Sequence, residues 1–242
     1  ILLGSLLIFS GCSSGNTSGP KIVVGSKDFT ENLIVSEIYA LALEEAGYNV
    51  ERKQNIAGTL IHQSLVNDEI DFYPEYTGTG LLSILKDELN TDPQQVYDIV
   101  KKEYDEKFQL TWLDYTKANN SQGLVIKTSV AEKLGIKTIS DLQKHASEIR
   151  FASQGEFDQR SDALPLLVEK YGAFDWKSSK VYDNGLKYEV LKNDEADVAP
   201  AYTTDGALAD TTNFTILEDD KKVWPPYNLA PVIRNDYLEE HS

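Results

Sequence analysis

The sequence contains few of the residues from which catalytic and metal centres are usually built. Among its 242 residues there are one cysteine and three histidines. The single cysteine, Cys12, excludes an internal disulfide and a thiolate metal cluster. His62, His145 and His241 are far apart and lack metal-ligand spacing. The sequence also has neither a Gly-x-Ser-x-Gly motif nor a phosphate-binding loop, so we expect no catalytic residue, no metal and no cofactor.

Basic residues are outnumbered by acidic ones. There are 23 Lys and Arg against 39 Asp and Glu, which gives a formal net charge of −16 at pH 7. Because so acidic a surface repels phosphate backbones, we expect no nucleic-acid partner. The hydrophobic content of 41% and charged content of 26% are typical of a globular chain. The length allows two modest domains or one large one.

The apolar run at residues 1–9 is too short to cross a bilayer, which takes about 20 residues. Its length fits the apolar region of a secretory signal. Small residues then precede Cys12 directly, which resembles the lipobox of bacterial lipoproteins, although Phe9 stands where leucine is usual. We therefore expect residues 1–12 to be a signal and lipobox remnant, Cys12 to be lipidated, and residues 13–20 to be a flexible tether. The alternative is a buried free cysteine. Because no Met or basic segment precedes this run, we expect the true start of the chain to lie upstream.

From Lys21 onward, short β-branched runs alternate with helical patterns. Residues 21–25 are typical of a buried strand that ends in glycine. A helix is predicted from Thr30, as its N-cap, to Ala46. Its apolar face is expected to consist of Leu33, Ile34, Ile38 and Leu41. Strands that alternate with helices predict βαβ units and a largely parallel sheet.

Residues 74–80, Pro-Glu-Tyr-Thr-Gly-Thr-Gly, lie between a predicted strand and a predicted helix. Open α/β sheets bind ligands at the carboxyl ends of their strands, so Tyr76 and Thr79 would present an aromatic face beside a hydroxyl there. The alternative is an ordinary turn, with glycines for positive φ and threonine as N-cap.

The segment at residues 69–79 is partly repeated at residues 195–205. Each contains a Glu, an Asp two positions later and then Pro-x-Tyr-Thr. The repeat predicts two lobes that present Tyr76 and Tyr202 at equivalent strand ends, towards one cleft. A chance match is the alternative in so short a segment.

Tyrosines occur at irregular, strand-end positions: Tyr76, Tyr202 and Tyr227, with Tyr115 as a further candidate. Aromatic faces attract a quaternary ammonium, which cannot hydrogen-bond, with roughly 0.5–2 kcal/mol each. These residues therefore indicate a site for such a cation.

A ligand that combines such a cation with a carboxylate also needs hydrogen-bond donors. Lys27, Thr79 and Arg160 lie on predicted loops, from which they would supply them. Taken singly, each of the three is better explained as solvated surface.

Five motifs occur in order over nearly all of the chain after residue 20. They are residues 25–31, residues 74–80, Gly155-Glu156-Phe157 with Arg160, Asp205-Gly206 after Tyr202, and Pro225-Pro226-Tyr227 with Ala230-Pro231. Together they resemble the substrate-binding proteins of osmoprotectant ABC importers, of the glycine betaine/carnitine/choline type. The resemblance implies an α/β, two-lobed type II periplasmic-binding-protein fold with two crossing hinge strands. With it, lobe 1 is predicted at residues 21–116 plus 215–242, and lobe 2 at 117–214.

The resemblance also implies roles for the candidate residues. Tyr76, Tyr202 and Tyr227 match the tyrosines of the family's aromatic cage. The positions that hold the ligand's carboxylate or line its pocket match Lys27, Thr79 and Arg160.

One departure from the family concerns the fourth wall of the cage. The family usually has Asn-Asn-Thr-Tyr after the first crossing, whereas residues 119–122 are Asn-Asn-Ser-Gln. We therefore place Asn120 and Gln122 among the ligand-binding residues and expect a ligand with a polar group near its ammonium, or weak binding of glycine betaine. Tyr115 and Trp224 are the candidates for the missing wall. Because the chain stops before the family's usual C-terminal helices, we expect it to be a fragment or its lobe to be incomplete.

The sequence thus predicts a monomeric, extracytoplasmic solute receptor rather than an enzyme. It would be anchored to the cell membrane by its lipid, capture a small quaternary-ammonium compound and deliver it to an ABC permease. The alternatives are a receptor for another amine or amino-acid betaine, a periplasmic α/β enzyme that uses the same cleft, and a structural surface lipoprotein.

Overall fold

The computed structural model describes residues 19–241, within which ten strands form two five-stranded sheets. The strands are β1 (Lys21–Lys27), β2 (Asn49–Ile56), β3 (Phe72–Tyr76), β4 (Leu110–Trp112), β5 (Gln122–Lys127), β6 (Arg150–Ser153), β7 (Ser178–Val181), β8 (Val198–Tyr202), β9 (Phe214–Ile216) and β10 (Leu229–Arg234). The predicted lipidation site, Cys12, and residues 13–18 of the predicted tether lie outside the described residues.

Helices connect most of these strands. They are α1 (Thr30–Glu45), α2 (Ile61–Val66), α3 (Thr77–Thr79), α4 (Pro93–Phe108), α5 (Thr128–Leu134), α6 (Ile139–Lys144), α7 (Gly155–Gln159), α8 (Leu164–Tyr171), α9 (Lys187–Lys192) and α10 (Asn235–Glu240). A wide π-helical turn, Gly80–Leu85, continues α3. None of the helices within residues 19–241 is both long enough and apolar enough to cross a membrane.

The two sheets have equivalent strand orders. The first is β2-β1-β3-β10-β4 and the second is β7-β6-β8-β5-β9, so β3 and β8 are the central strands. In each sheet the first three strands are parallel, and the other two pairings are antiparallel. Four of the five strands in each sheet therefore run in one direction, as the prediction of a largely parallel sheet requires, and only β10 and β5 run against them. The reason is that β5 and β10 each enter their sheet from the other one, and so run against the central strand.

Two chain segments cross between the sheets, at residues 113–121 and 217–228. They pair through the backbone hydrogen bond from Asn120 N–H to the Tyr227 carbonyl at 3.0 Å, and the Leu229 N–H, at the start of β10, donates to the Ala118 carbonyl at 3.2 Å. The second crossing begins after Ile216, because β9 is paired with β5 up to that residue. This is two residues beyond the boundary at 215 that the sequence predicted.

Helix α1 differs from its prediction at both its start and its buried face. Phe29 is the N-cap and Thr30 is already helical, so Thr30 does not cap the helix. Of the predicted apolar face, Leu33 is half-buried, whereas Ile34, Ile38 and Leu41 are more than half exposed. The buried residues are Asn32, Ser36 and Ala40.

Asn32 explains why α1 turns a polar face inward. Its side-chain oxygen accepts a hydrogen bond from the Lys27 backbone N–H at 2.7 Å, and its amide nitrogen donates to the Pro74 carbonyl at 2.8 Å. Buried backbone groups must be paired, so these two bonds outweigh the burial of a few aliphatic side chains. They also tie the end of β1 to the middle of β3, two residues before Tyr76 and the predicted site.

Candidate ligand-binding site

All eight residues predicted to bind ligand line one cavity between the two sheets. With Phe29, which was not predicted, the lining is Lys27, Phe29, Tyr76, Thr79, Asn120, Gln122, Arg160, Tyr202 and Tyr227. We call this space the aromatic cavity. It encloses about 20 Å³, which is room for roughly one water molecule.

The three tyrosines reach the aromatic cavity from three separate parts of the chain. Tyr76 is the last residue of β3 and Tyr202 is the last residue of β8, which are the equivalent strand ends that the repeat predicts. Tyr227 lies on the second crossing, and its hydroxyl donates to Asp162 Oδ2 at 2.9 Å. Gly78 allows this position, because a Cβ there would lie 2.8 Å from the Tyr227 ring.

Phe29, the N-cap of α1, supplies a fourth aromatic side chain. Its ring centroid is 4.8 Å from that of Tyr202 and 5.9 Å from that of Tyr76. Tyr115 and Trp224, the predicted candidates for this wall, lie elsewhere. Tyr115 packs on Tyr97, at 4.8 Å between centroids, and the Trp224 indole donates to the Asp162 carbonyl at 2.8 Å. Phe29 lies two residues after the end of the buried strand β1, so the strand-end signal that selected the tyrosines would also have selected it.

Lys27 is buried and its charge is compensated within the protein. Its ammonium forms an ion pair with Glu75, which also accepts hydrogen bonds from the Tyr73 hydroxyl and the Tyr76 N–H, both at 2.8 Å. The Lys27 nitrogen lies 5.5 Å from the centroid of the Tyr76 ring. Lys27 therefore fixes one wall of the aromatic cavity and is not a free cation for a carboxylate.

Arg160 is also paired, with Asp162. Its Nε and Nη2 donate to the two oxygens of Asp162 at 2.9 and 2.7 Å, and its Nη2 is 3.5 Å from the Thr79 hydroxyl. Asp162 is fully buried and additionally accepts from Ser83 and Tyr227, both at 2.9 Å. Burial alone would raise the pKa of Asp162, but the guanidinium charge and these hydrogen bonds hold it below its usual range. Asp162 organises the site, although no motif marked it.

A cation that belongs to the protein, the ammonium of Lys187, lies beside the ring of Tyr202. The ammonium of Lys187, on α9, lies 4.5 Å from the Tyr202 ring centroid and pairs with Asp205 at 2.7 Å. Burial lowers the pKa of Lys187, and Asp205 opposes that shift. Burial also raises the pKa of Tyr202 to about 12, so the ring is neutral at physiological pH. Lys187 therefore already takes up part of the cation–π attraction of Tyr202. Nothing in the local sequence around Lys187 predicted this contact.

Glu31 joins both sheets to the first crossing. Its carboxylate accepts hydrogen bonds from the Tyr76 hydroxyl at 2.8 Å, from Asn120 Nδ2 at 2.9 Å and from the Thr204 hydroxyl at 2.5 Å. A single side chain of α1 therefore orients one wall of the aromatic cavity and contacts the segment that follows β8.

Other hydrogen bonds hold the two sides of the cleft together. Ser83 donates to Asp162 at 2.9 Å, and the Thr59 N–H and hydroxyl lie 3.2 and 3.3 Å from Glu156. With the aromatic cavity reduced to about the size of one water, a ligand must enter while these contacts are broken.

Gln122 occupies the position of the family's fourth tyrosine and is 6% exposed. It faces Tyr202 across the β5–β8 pair and lines the aromatic cavity.

Gln122→Tyr is expected to tighten glycine betaine about two- to five-fold, because one further π-face is worth ~0.5–1 kcal/mol at a site that already has Phe29. The change should weaken a ligand that hydrogen-bonds the amide. A tryptophan-fluorescence titration measures both dissociation constants, with Gln63→Tyr, at an exposed position of α2, as the control. Unchanged affinities for both ligands would show that Gln122 does not contact them.

Comparisons with known proteins assign the chain to a family. Residues 20–242 match the model of the OpuAC family, described as the substrate-binding domain of the ABC-type glycine betaine transport system. The carnitine transport binding protein OpuCC of Listeria monocytogenes is 33% identical over 249 residues, which cover 100% of this chain and 80% of that protein. The glycine-betaine-binding protein of Pseudomonas aeruginosa is 34% identical, over 95% of this chain and 76% of that protein.

A solved structure supports the same assignment. The crystal structure described as a glycine betaine/carnitine/choline ABC transporter superposes with a TM-score of 0.68 at 26% identity, over 93% of this chain and 82% of that one. The predicted α/β periplasmic-binding-protein fold is confirmed by this similarity and by the two sheets. The chain therefore belongs to the OpuAC family and is a substrate-binding domain of an ABC-type glycine betaine transport system.

Proposed function

We propose that the protein captures a small quaternary-ammonium compound in the aromatic cavity and delivers it, chemically unchanged, to an ABC permease. The observation that carries this proposal is the convergence of Phe29, Tyr76, Tyr202 and Tyr227, from four separate segments, on one small space. In this proposal the two sheets belong to two lobes that part to admit the ligand and close on it.

The closing of the two lobes on the ligand provides the affinity for the quaternary ammonium. Each aromatic face contributes roughly 0.5–2 kcal/mol to binding a quaternary ammonium, and more when water is removed from the contact. The permanent charge cannot be satisfied by hydrogen bonds, so π-faces are its appropriate partners. Because the aromatic cavity of about 20 Å³ is smaller than a trimethylammonium group, its walls must stand further apart around a bound ligand, and their closing on it removes water from the contact.

The carboxylate of a betaine would be held mainly by neutral donors. Thr79, Asn120 and Gln122 line the aromatic cavity and are buried. Arg160 adds a charge that Asp162 partly compensates. This arrangement accepts a zwitterion, whose net charge is zero, better than a simple anion.

A thermal-shift screen tests the proposed function. A ligand at about 100 times its Kd adds ~2.7 kcal/mol of stability, so glycine betaine, carnitine or choline should raise the Tm, whereas alanine and glutamate should not. NMR of the recovered ligand should show it unchanged. Stabilisation only by ligands without a quaternary ammonium would contradict the proposal, and consumption of the ligand would favour the enzyme alternative. No stabilisation by any solute would favour a structural surface protein.

We also propose that Cys12 carries a lipid that anchors the protein outside the cytoplasm. The support is the apolar run with small residues directly before Cys12 and the polar segment after it. Mass spectrometry of protein extracted from membranes should find the diacylglyceryl modification on Cys12, and a Cys12→Ala variant should be released into the soluble fraction. An unmodified thiol in membrane-extracted protein would contradict the anchor.

A further inference from the structure

Lys187 is a buried cation beside the aromatic cavity, and the proposed function does not use it. It is the first residue of α9 and is only 6% exposed. Its ammonium lies 4.5 Å from the ring centroid of Tyr202 and 5.4 Å from that of Tyr188. Tyr202 is part of the lining of the aromatic cavity and Lys187 is not. The ammonium therefore approaches the Tyr202 ring from outside the cavity.

The counter-charge of Lys187 lies at the main chain of Tyr202. Asp205 pairs with the ammonium at 2.7 Å. The same carboxylate oxygen accepts hydrogen bonds from the Tyr188 hydroxyl at 2.7 Å and from the backbone N–H of Tyr202 at 3.1 Å. Because the carboxylate faces the main chain and the ammonium faces the ring, the π-system of Tyr202 is exposed chiefly to the positive charge.

A buried ion pair of this kind is expected to add little to stability. The side chains of Lys187 and Asp205 are only 8% and 18% exposed, and the free energy lost with their hydration can equal what their attraction returns. Replacing such a pair with uncharged side chains is often neutral or stabilising. The position of this cation against a wall of the aromatic cavity is therefore better explained by an effect on the ligand.

We propose that Lys187 limits the affinity of the aromatic cavity for a quaternary ammonium. This rests on the proposed function, because the ligand's cation has to contact the Tyr202 ring. A cation draws the π-electrons of a ring towards itself, so the opposite face of the ring becomes less negative and attracts a second cation less strongly. The ammonium of Lys187 also repels the ligand's charge directly in this poorly hydrated region. A limited affinity suits a receptor that has to release its ligand to a permease.

Two variants remove the cation in different ways. Lys187→Met combined with Asp205→Asn removes both charges, and the asparagine oxygen can still accept from Tyr188 and Tyr202. By calorimetric titration, this double variant is expected to bind glycine betaine about three- to tenfold more tightly than the wild type. Lys187→Gln leaves the negative charge of Asp205 in place and should tighten binding further. The gain should arise mainly from slower dissociation, which stopped-flow tryptophan fluorescence measures.

A ligand without the quaternary charge separates this electrostatic effect from a structural one. In 3,3-dimethylbutanoate a neutral carbon atom replaces the quaternary nitrogen of glycine betaine. Its affinity should stay the same or fall in both variants, because it has no cation for Lys187 to repel. Lys192→Met is the matched control, since Lys192 is exposed on the same helix and its ammonium lies 5.7 Å from Phe214, a ring outside the aromatic cavity. This control should change neither affinity.

The possible results separate this inference from the proposed function. Unchanged or weaker binding of glycine betaine by both variants would overturn the role of Lys187, and so would equal gains for the two ligands. The preference of the wild type for glycine betaine would still support the quaternary-ammonium site in either case. If the wild type binds neither ligand, both proposals fail. If circular dichroism shows that the double variant does not fold, Lys187→Gln, whose amide can still donate to Asp205, provides the same comparison.

Discussion

Replacing Asp162 with alanine is expected to lower the free energy of unfolding by about 3–5 kcal/mol, because it leaves the Arg160 guanidinium buried without its counter-charge. Asp162 is fully buried and accepts four hydrogen bonds from Arg160, Ser83 and Tyr227. Urea denaturation of the wild type and the variant measures the difference.

The control for Asp162→Ala is Ser83→Ala, which removes one neutral donor from the same carboxylate and should cost only ~0.5–1.5 kcal/mol. A double replacement, Arg160→Leu with Asp162→Leu, should recover part of the loss, because it removes the uncompensated charge. A loss for Asp162→Ala no greater than that for Ser83→Ala would contradict the central position of this ion pair.

The same carboxylate gives stability a defined pH dependence. Because the folded pKa of Asp162 lies below its unfolded value, its contribution is present above the unfolded pKa, near ~3.9, and is lost as the pH falls through the folded pKa. Below about pH 4 the stability of the wild type should therefore fall more steeply than that of Asp162→Asn. Parallel curves would show that Asp162 does not keep its charge in the folded protein.

Replacing Tyr202 with leucine is expected to weaken glycine betaine about three- to thirty-fold, because it keeps apolar area but removes a π-face worth ~0.5–2 kcal/mol. The resident ammonium of Lys187, 4.5 Å from this ring, favours the lower half of that range. Calorimetric titration measures the change. Tyr115→Leu is the matched control, since Tyr115 packs on Tyr97 outside the aromatic cavity. Equal effects of the two substitutions would exclude Tyr202 from the site.

Much of the architecture and of the site could be predicted from the sequence, because strand-end motifs show directly where a strand ends and which side chains lie there. Pro-x-Tyr-Thr marks the end of a central strand in each sheet, and this is where Tyr76 and Tyr202 lie. The direction of β5 and β10 could not be predicted in this way, because it depends on which sheet the chain has just left.

Contacts between residues that are far apart in the sequence explain which features of the site were not predicted. Lys27 lines the aromatic cavity as predicted, but its buried ion pair with Glu75, 48 residues away in the sequence, was not predicted. The inward face of α1 is polar because Asn32 bonds to Pro74, in a strand 42 residues away. Apolar periodicity predicted the opposite face, since it contains no information on buried hydrogen bonds between distant segments.

The most direct test of the proposed function compares glycine betaine with its isostere 3,3-dimethylbutanoate, in which a neutral carbon atom replaces the quaternary nitrogen. The two have the same shape and carboxylate, so the ratio of their affinities measures how strongly the site attracts the quaternary charge. Four aromatic side chains at roughly 0.5–2 kcal/mol each predict that glycine betaine binds at least tenfold more tightly by calorimetric titration. Equal affinities would contradict the account, because they would mean that the aromatic side chains recognise shape rather than charge.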